Sequence, residues 1–253
     1  MALNFGKIGR QVAIINGGRY DKKKMYLTEE KGKNTDEYIK DFNSFHITDE
    51  GKFSQSPSKD REREVYYIVG ASGSGKSTYA TSLIKEIKKI RKNYPLYVFS
   101  TLNDDYESLD PLRVKLTKNL IDNPIEPEEL KNSICVFDDL DVISDKKLRE
   151  SILGTVSKCL EIGRHFNIYC IFTSHLATKG QETKRILNEA HSITIFPHSG
   201  SGRSMGYLLE NYCGLSKQDI KKIQKLKSRW ATIYKHYPQM ILSEKDAYLL
   251  HDN

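Results

Sequence analysis

VYYIVGASGSGKS, residues Val65–Ser77, contains the most specific pattern in this chain. Its apolar part, Val65–Val69, predicts a buried strand of a parallel sheet, because such strands are covered on both faces. The following Gly70–Ser77 fits the pattern G-x-x-x-x-G-K-[ST]. Tyr79–Lys92 then has apolar residues at helical spacing. A strand, a glycine-rich turn and an amphipathic helix in this order predict a phosphate-binding loop, or P-loop.

The composition of the turn is the one that phosphate binding requires. Several of its residues must turn sharply so that backbone N–H groups surround phosphate oxygens, which glycine permits. The positive end of the following helix favours an anion at the same place. We expect Lys76 to reach the β- and γ-phosphates of ATP and the Ser77 hydroxyl to bind Mg²⁺. The predicted nucleotide-binding residues are Gly70, Ala71, Ser72, Gly73, Ser74, Gly75, Lys76, Ser77 and Thr78.

A pair of carboxylates follows another predicted strand, Ile134–Phe137. A carboxylate at the end of such a strand can hold Mg²⁺ opposite Ser77, a role we assign to Asp138. Asp139 is then free to act as the base that polarises the attacking water. The alternative is that the pair caps a helix or lies in a loop, where aspartate is common.

Strands and helices alternate along the middle of the chain. Further strands are predicted at Leu96–Ser100, Ile168–Thr173 and Ser192–Phe196, and helices at Lys146–Gly163 and Gln181–Glu189. This alternation predicts an α/β fold with a central, mostly parallel sheet and helices on both faces. The strand between the two motifs makes the arrangement similar to the additional-strand class of P-loop ATPases. In that class a later strand inserts between the strands of the two motifs.

Two further residues are candidates for catalysis. His175 follows the predicted strand Ile168–Thr173, where it is positioned to sense the γ-phosphate; the alternative is a histidine with a purely structural role. Arg164, at the end of a predicted helix, is a candidate for a finger that enters a neighbouring subunit's site and neutralises charge in the transition state. The alternative for Arg164 is a cation that caps the helix C-terminus. Arg185 and Arg203 are weaker candidates for the finger.

The sequence divides into three predicted regions. Residues 1–63 form an N-terminal extension of short strands that ends in a linker, Ser54–Arg63. Residues 64–203 form the P-loop core, and residues 204–253 form a helix-and-strand tail packed on that core.

Composition excludes several classes of protein. The chain has 253 residues and a net charge of +7, with no apolar run of the roughly 18 residues that a membrane span needs. The segment Met1–Arg10 has no signal-peptide core. The four cysteines have no metal-binding spacing, so we expect reduced core residues of an intracellular protein.

Basic residues cluster in two segments. One lies late in the predicted P-loop helix: Lys85, Lys88, Lys89, Arg91 and Lys92. The other contains Lys217, Lys221, Lys222, Lys225, Lys227 and Arg229 against a single acidic residue, Asp219. Such clusters suit contact with nucleic-acid phosphates, or are solvated helix faces.

Three segments together resemble the FtsK–HerA superfamily of ring translocases: GASGSGKS, ICVFDD and GRHFNIYCIFTSH. Within it, YVFST, FDDL, GRHFNI, LNEAHSITIFP and SRWATIYKHYP are similar to the genome-packaging ATPases of nucleo-cytoplasmic large DNA viruses and their smaller relatives. The resemblance covers about Val65 to Leu250. The superfamily usually has glutamine at the sensor position, where this chain has His175.

The resemblance implies an ATP- and Mg²⁺-dependent motor that moves double-stranded DNA into a preformed capsid, irrespective of base sequence. It implies a homo-oligomeric ring of roughly five or six subunits, a capsid or portal component as partner and no membrane partner. The expected location is the host cytoplasm, the virus factory or the virion. The alternatives are another DNA translocase of this superfamily, an ATP-binding assembly or scaffold protein that moves nothing, and a small-molecule kinase.

Overall fold

The computed structural model describes residues 1–29, 43–102, 105–175 and 180–250. Its strands are β1 Ala2–Asn4, β2 Arg10–Asn16, β3 Lys24–Thr28, β4 Ser44–His46, β5 Lys52–Gln55, β6 Val65–Val69, β7 Leu96–Phe99, β8 Leu112–Arg113, β9 Ile134–Asp138, β10 Tyr169–Ser174, β11 Ser192–Ile195, β12 Ala231–Tyr234, β13 Met240–Ser243 and β14 Asp246–Leu249. Its helices are α1 Lys76–Ile90, α2 Asn119–Asp122, α3 Lys146–Ile162, α4 Gly180–Glu189, α5 Gly202–Cys213 and α6 Lys217–Gln224.

The chain forms two compact units. One is Glu62–Ala190, which we call the P-loop unit. The other combines Met1–Arg61 with His191–Asn253 and is called the terminal unit. This division differs from the three regions expected from the sequence, because it groups the N-terminal segment with the tail and places residues 191–203 with them.

A parallel sheet forms the centre of the P-loop unit, with the strand order β6, β10, β9, β7, β8. β10 pairs in parallel with β6 on one side and β9 on the other. The strand that follows both motifs therefore inserts between their strands, which confirms the additional-strand class. The predicted strand Val65–Val69 has the observed bounds, and all five of its residues are buried.

Helices lie on both faces of this sheet. The connection from β6 through α1 to β7 runs in one direction along the strand order, and the connection from β9 through α3 to β10 runs in the other. Because such crossovers are right-handed, α1 and α3 cover opposite faces. The apolar side of α1 includes Leu83, Ile84 and Ile87, each at most 2% exposed. The observed sheet and helices confirm the predicted α/β fold.

Two antiparallel sheets make up the terminal unit. The first sheet has the strand order β1, β3, β2, β5. The second has the strand order β4, β14, β13, β12, β11. Their apolar faces share one core, to which Ile15, Met25, Met240 and Leu242 contribute fully buried side chains. Trp230 packs against this core. α5 and α6 complete the unit.

One detail of the sequence-based expectation is wrong. The proposed linker Ser54–Arg63 begins inside β5, and its residues Gln55, Ser56 and Ser58 are each only 3% exposed. They are ordered because this segment bonds to β2: the Ser56 amide donates to the Val12 carbonyl at 3.0 Å. The predicted strand Ser192–Phe196 is observed as Ser192–Ile195, and its antiparallel pairing with β12 is compatible with a mostly parallel sheet.

The cysteines and the apolar segments of the described residues bear on two of the expectations from composition. All four cysteines, Cys135, Cys159, Cys170 and Cys213, are buried free thiols. In the described parts of the chain, no helix has the length and apolarity that crossing a membrane requires.

Candidate functional site

The glycine-rich turn lies at the carboxyl edge of the parallel sheet. Gly73 and Gly75 have φ of 72° and 103°, a region that residues with a Cβ rarely adopt, so glycine is needed at both positions. α1 starts at Lys76 directly after this turn. The N–H groups of its first turn have no partners within the helix, and they face the side where an anion binds. The turn therefore has the backbone geometry of a phosphate cradle.

A chain of three side chains links the turn to the end of β9. Lys76 is 7% exposed, and its ammonium donates to the Gly70 carbonyl and to Nδ1 of His175, both at 3.0 Å. Nε2 of His175 lies 2.8 Å from Oδ2 of Asp139. An ammonium group only donates and a carboxylate only accepts. The imidazole of His175, which lies between them, is therefore the neutral form protonated at Nε2. His175 thus joins the P-loop lysine to the candidate base.

Asp139 has the environment expected of a proton acceptor. Burial raises the pKa of its carboxyl group, and the charge of Lys76 partly offsets this effect. A raised pKa brings the carboxylate closer to the range in which a general base works best. The backbone of Asp139 has φ 45°, so the chain turns sharply here and presents the carboxylate beside His175.

Asp138 is held by three hydroxyl groups and is 3% exposed. Its Oδ1 accepts from Thr173 at 2.5 Å and from Tyr106 at 3.1 Å, and its Oδ2 accepts from Ser100 at 3.0 Å. A carboxylate has about four acceptor positions, so three of them are filled. The carboxylate group of Asp138 is therefore fixed in direction. The alternative role of a helix cap belongs to Asp145, whose carboxylate accepts from the Leu148 amide at the start of α3.

The residues present fit a nucleotide bound with magnesium. Within the described residues, no three His, Cys, Asp or Glu side chains are grouped to hold a metal by themselves. Mg²⁺ in nucleotide sites needs only one or two protein ligands, because phosphate oxygens and waters supply the rest. Two buried oxygens, Ser74 Oγ and Asp139 Oδ1, have no hydrogen-bond partner in the described structure. Buried polar atoms of this kind require a partner, which a nucleotide or its water supplies.

Arg164 lies at the opposite edge of the sheet from these residues. It precedes β10, whereas the P-loop is at the carboxyl ends of the strands, so the six residues of β10, roughly 20 Å, separate them. Its side chain is 75% exposed, and its Nε lies 3.1 Å from the Glu62 carboxylate. The carbonyls at the end of α3 are bonded instead by Arg63, which donates to Cys159 at 2.7 Å and to Leu160 at 2.8 Å. This arrangement disfavours the helix-capping alternative for Arg164.

The two basic clusters differ in how far their charges are engaged. On α1, Lys88 donates to the Leu109 carbonyl and Lys89 pairs with Glu86 at 2.6 Å. Arg91, directly after this helix, lies over the ring of Tyr169. On α6 and the following turn, the basic residues Lys217, Lys221, Lys222, Lys225, Lys227 and Arg229 are all exposed, and of these Lys222 pairs with Asp219 at 3.1 Å. Ile220 and Ile223 of α6 are buried beneath them. The α6 cluster is therefore the better candidate for contact with a polyanion.

Sequence reasoning missed three hydroxyl groups that hold Asp138. Ser100 and Thr173 are at the ends of the neighbouring strands β7 and β10, where parallel strands bring side chains together. Their position at predicted strand ends was a usable signal. Tyr106 gave no signal, because it reaches the site from a turn with φ 67° rather than from a strand.

Comparisons with known proteins agree with this geometry. No family model matches the chain. The chain is 39% identical to an uncharacterized protein, V3, of the Sputnik virophage, and the match covers 97% of each. In fold it is similar to the genome packaging NTPase B204 from Sulfolobus turreted icosahedral virus 2 in complex with AMPPCP, with a TM-score of 0.53 and 14% identity over 73% of this chain and 98% of that one. It is also similar to TcpA, the conjugation coupling protein of pCW3, with a TM-score of 0.50 and 15% identity over 93% and 77% of the two chains.

Proposed function

Because the chain belongs to the family of the Sputnik virophage protein V3 and has the fold of the FtsK-like P-loop ATPases, we propose that it is an ATP-hydrolysing motor that packages viral DNA. The chain of contacts from Lys76 through His175 to Asp139 carries this proposal. It joins a lysine suited to phosphate binding to a largely buried carboxylate, which supports a site for hydrolysis of a phosphate bond.

The chemistry assigned to the site is attack of water on the γ-phosphorus of ATP. Asp139 accepts the proton as the new P–O bond forms, and the bond to the bridging oxygen of ADP breaks. The backbone N–H groups of the P-loop and Lys76 bind the phosphates and stabilise the charge on the leaving group. His175, in contact with both Lys76 and Asp139, is positioned to respond to the γ-phosphate.

Magnesium binding is assigned to Ser77 and Asp138. When bound, the ion neutralises phosphate charge and orients the triphosphate. The three hydroxyl groups around Asp138 keep its carboxylate in one direction, which supports a positioning role for that residue.

A ring of identical subunits is part of the proposal. Arg164 is exposed and lies far from the P-loop of its own chain, so its proposed role in hydrolysis is at the site of a neighbouring subunit. An arginine supplied in this way neutralises charge in the transition state and increases the rate by about 10³-fold or more. It would also couple hydrolysis in one subunit to the position of the next.

Double-stranded DNA is the proposed substrate for movement, in contact with the exposed lysines on α6. A motor that ignores base sequence binds phosphates by charge, and its affinity falls steeply with salt. A capsid or portal component would receive the DNA. Packaging of this kind would take place inside the infected host cell.

The test is ATP hydrolysis by the purified chain, measured with and without double-stranded DNA of unrelated sequences, together with its mass in the presence of ATP. We expect hydrolysis that any such DNA stimulates, loss of this stimulation at high salt, and a mass of several subunits. The alternative, an FtsK–HerA translocase with another task, predicts the same stimulation of hydrolysis by DNA. It also predicts that infected cells release packaged genomes whether or not this protein is active.

Two other results would redirect the assignment. ATP binding with slow hydrolysis that DNA leaves unchanged would indicate an assembly or scaffold protein. Turnover by a monomer in the presence of a small phosphate acceptor would indicate a kinase. If the purified chain neither binds nor hydrolyses ATP, that result would contradict the proposal altogether.

A further inference from the structure

The hydroxyl group of Tyr106 joins the two residues assigned to magnesium. It donates to Oδ1 of Asp138 at 3.1 Å, and the side chain of Ser77 lies beside it. The carboxylate only accepts, so the phenol donates its proton to it. Burial, and the nearby charge of Asp138, raise the pKa of Tyr106, which keeps the phenol protonated and able to donate.

The position of this hydroxyl is built into the fold. Tyr106 is 4% exposed, although it lies in a turn outside the regular elements. Its backbone has φ 67°, which is unfavourable for a residue with a large side chain. Structures keep such a conformation only where surrounding contacts determine it.

Contacts on both sides hold the backbone around Tyr106. The Arg113 guanidinium donates to the Leu102 carbonyl at 3.0 Å and to the Asp105 carbonyl. After the tyrosine, the Lys88 ammonium donates to the Leu109 carbonyl at 3.2 Å. Cations from α1 and β8 therefore fix the main chain so that the phenol reaches Ser77 and Asp138.

We propose that the Tyr106 hydroxyl holds the place between Ser77 and Asp138 that magnesium and its water take, so that binding of magnesium with the nucleotide displaces it. This inference rests on the proposed function. Oδ1 of Asp138 accepts from both Thr173 and Tyr106, so loss of the tyrosine leaves the carboxylate still held by Thr173 and Ser100. Tyr106 is thus a positioning residue that sets how strongly nucleotide affinity depends on magnesium.

The test is equilibrium binding of AMPPCP, a nucleotide analogue, to the full chain and to Tyr106→Phe, with Mg²⁺ and with EDTA. The phenylalanine keeps the ring but removes the competing hydrogen bond. We expect the variant to bind about two- to tenfold more tightly in Mg²⁺ and equally in EDTA. Tyr94→Phe is the matched control, because its hydroxyl makes only a 3.5 Å contact with Asn132 at the surface.

Weaker binding of Tyr106→Phe in Mg²⁺ would overturn the inference, since it would make the hydroxyl a permanent support of the site. An unchanged ratio between the two conditions would overturn it as well. If the wild-type chain binds no AMPPCP in either condition, the proposed function itself fails. Hydrogen exchange of residues 105–110 in the wild type gives a readout that does not depend on the folding of the variant. Protection of these amides from exchange should be lower with Mg²⁺ and AMPPCP than with EDTA and AMPPCP. Unchanged protection would contradict displacement of the Tyr106 hydroxyl group.

Discussion

The P-loop unit and the terminal unit are stabilised in different ways. Buried charged and polar side chains, including Lys76, Asp138 and Thr173, meet at the carboxyl edge of the P-loop unit. The core of the terminal unit is apolar and is formed by strands from both ends of the chain, such as β14 and β4. Substitutions at the edge of the first should therefore affect chemistry, and substitutions in the core of the second should affect stability.

The largest expected effect tests whether the P-loop unit is complete in one subunit. Arg164→Ala should lower ATP hydrolysis by about 10³-fold, because the arginine serves a neighbouring site. Mixing Arg164→Ala with Lys76→Ala subunits should restore part of the activity at interfaces that pair an intact P-loop with an intact arginine. Steady-state phosphate release measures both effects.

Arg185→Ala provides the control for this experiment, because Arg185 is also exposed and also pairs with a glutamate, Glu161. It should keep most of the activity. Absence of any rescue in the mixture would argue against a role for Arg164 between subunits.

The next effect concerns the core of the terminal unit. Leu242→Ala should lower the free energy of unfolding by about 2–5 kcal/mol, because the side chain is fully buried and its loss leaves a cavity. Leu112→Ala in the P-loop unit should change it by less than about 0.5 kcal/mol, since Leu112 is 53% exposed. Denaturant titration measures both. Equal effects of the two substitutions would contradict the assignment of the stabilising core.

A smaller effect distinguishes the two basic clusters. Lys221→Gln with Lys225→Gln should weaken DNA binding several-fold and lower the slope of affinity against salt by about one unit for each lost phosphate contact. The matched pair in the P-loop unit, Lys85→Gln with Lys92→Gln, should leave both quantities nearly unchanged. A larger effect of the second pair of substitutions would indicate that DNA contacts the basic cluster of α1 and not that of α6.

The smallest expected effect is a pH dependence in the terminal unit. Partial loss of water contact, together with the charges of Arg61, Arg10 and Lys235, lowers the pKa of His236 to about 4. The unfolded chain therefore takes up a proton near pH 6.5, before the folded chain does, and stability falls as the pH decreases from about 6.5 to about 4. His236→Gln should remove part of this decrease, as thermal unfolding at several pH values would show. His165 is an exposed histidine of the P-loop unit, and His165→Gln should leave this decrease in stability unchanged. Equal effects of the two substitutions would contradict the assignment of the pH dependence to His236.

The P-loop unit was largely predictable because its signals are local. The strand Val65–Val69, the glycine pattern after it and the carboxylates after β9 are each contained in a few residues. Parallel strands align at their carboxyl ends, so the site follows once the strands are known. The insertion of β10 between β6 and β9 could likewise be expected from the spacing of the two motifs.

The terminal unit was not predictable in the same way. Its pairings join residues far apart in the chain, such as Ser44 with Tyr248, and short strands carry little periodicity. The polar segment after β5 indicated a linker, although its backbone bonds to β2 bury it. Tyr106 was missed for a related reason: a turn with positive φ places its hydroxyl at the site, and no sequence pattern marks that turn.

The assignment of Asp139 as the base is tested most directly by Asp139→Asn, with analogue binding and hydrolysis measured on the same preparation. Asparagine can still accept from His175 but cannot take up a proton, so binding should stay within about twofold of wild type while hydrolysis falls by about 10²–10⁴-fold. In the wild type, hydrolysis should also decline as the pH is lowered through the raised pKa of Asp139, because the protonated carboxyl group cannot accept another proton. Turnover close to wild type in Asp139→Asn would contradict the assignment of this carboxylate as the base.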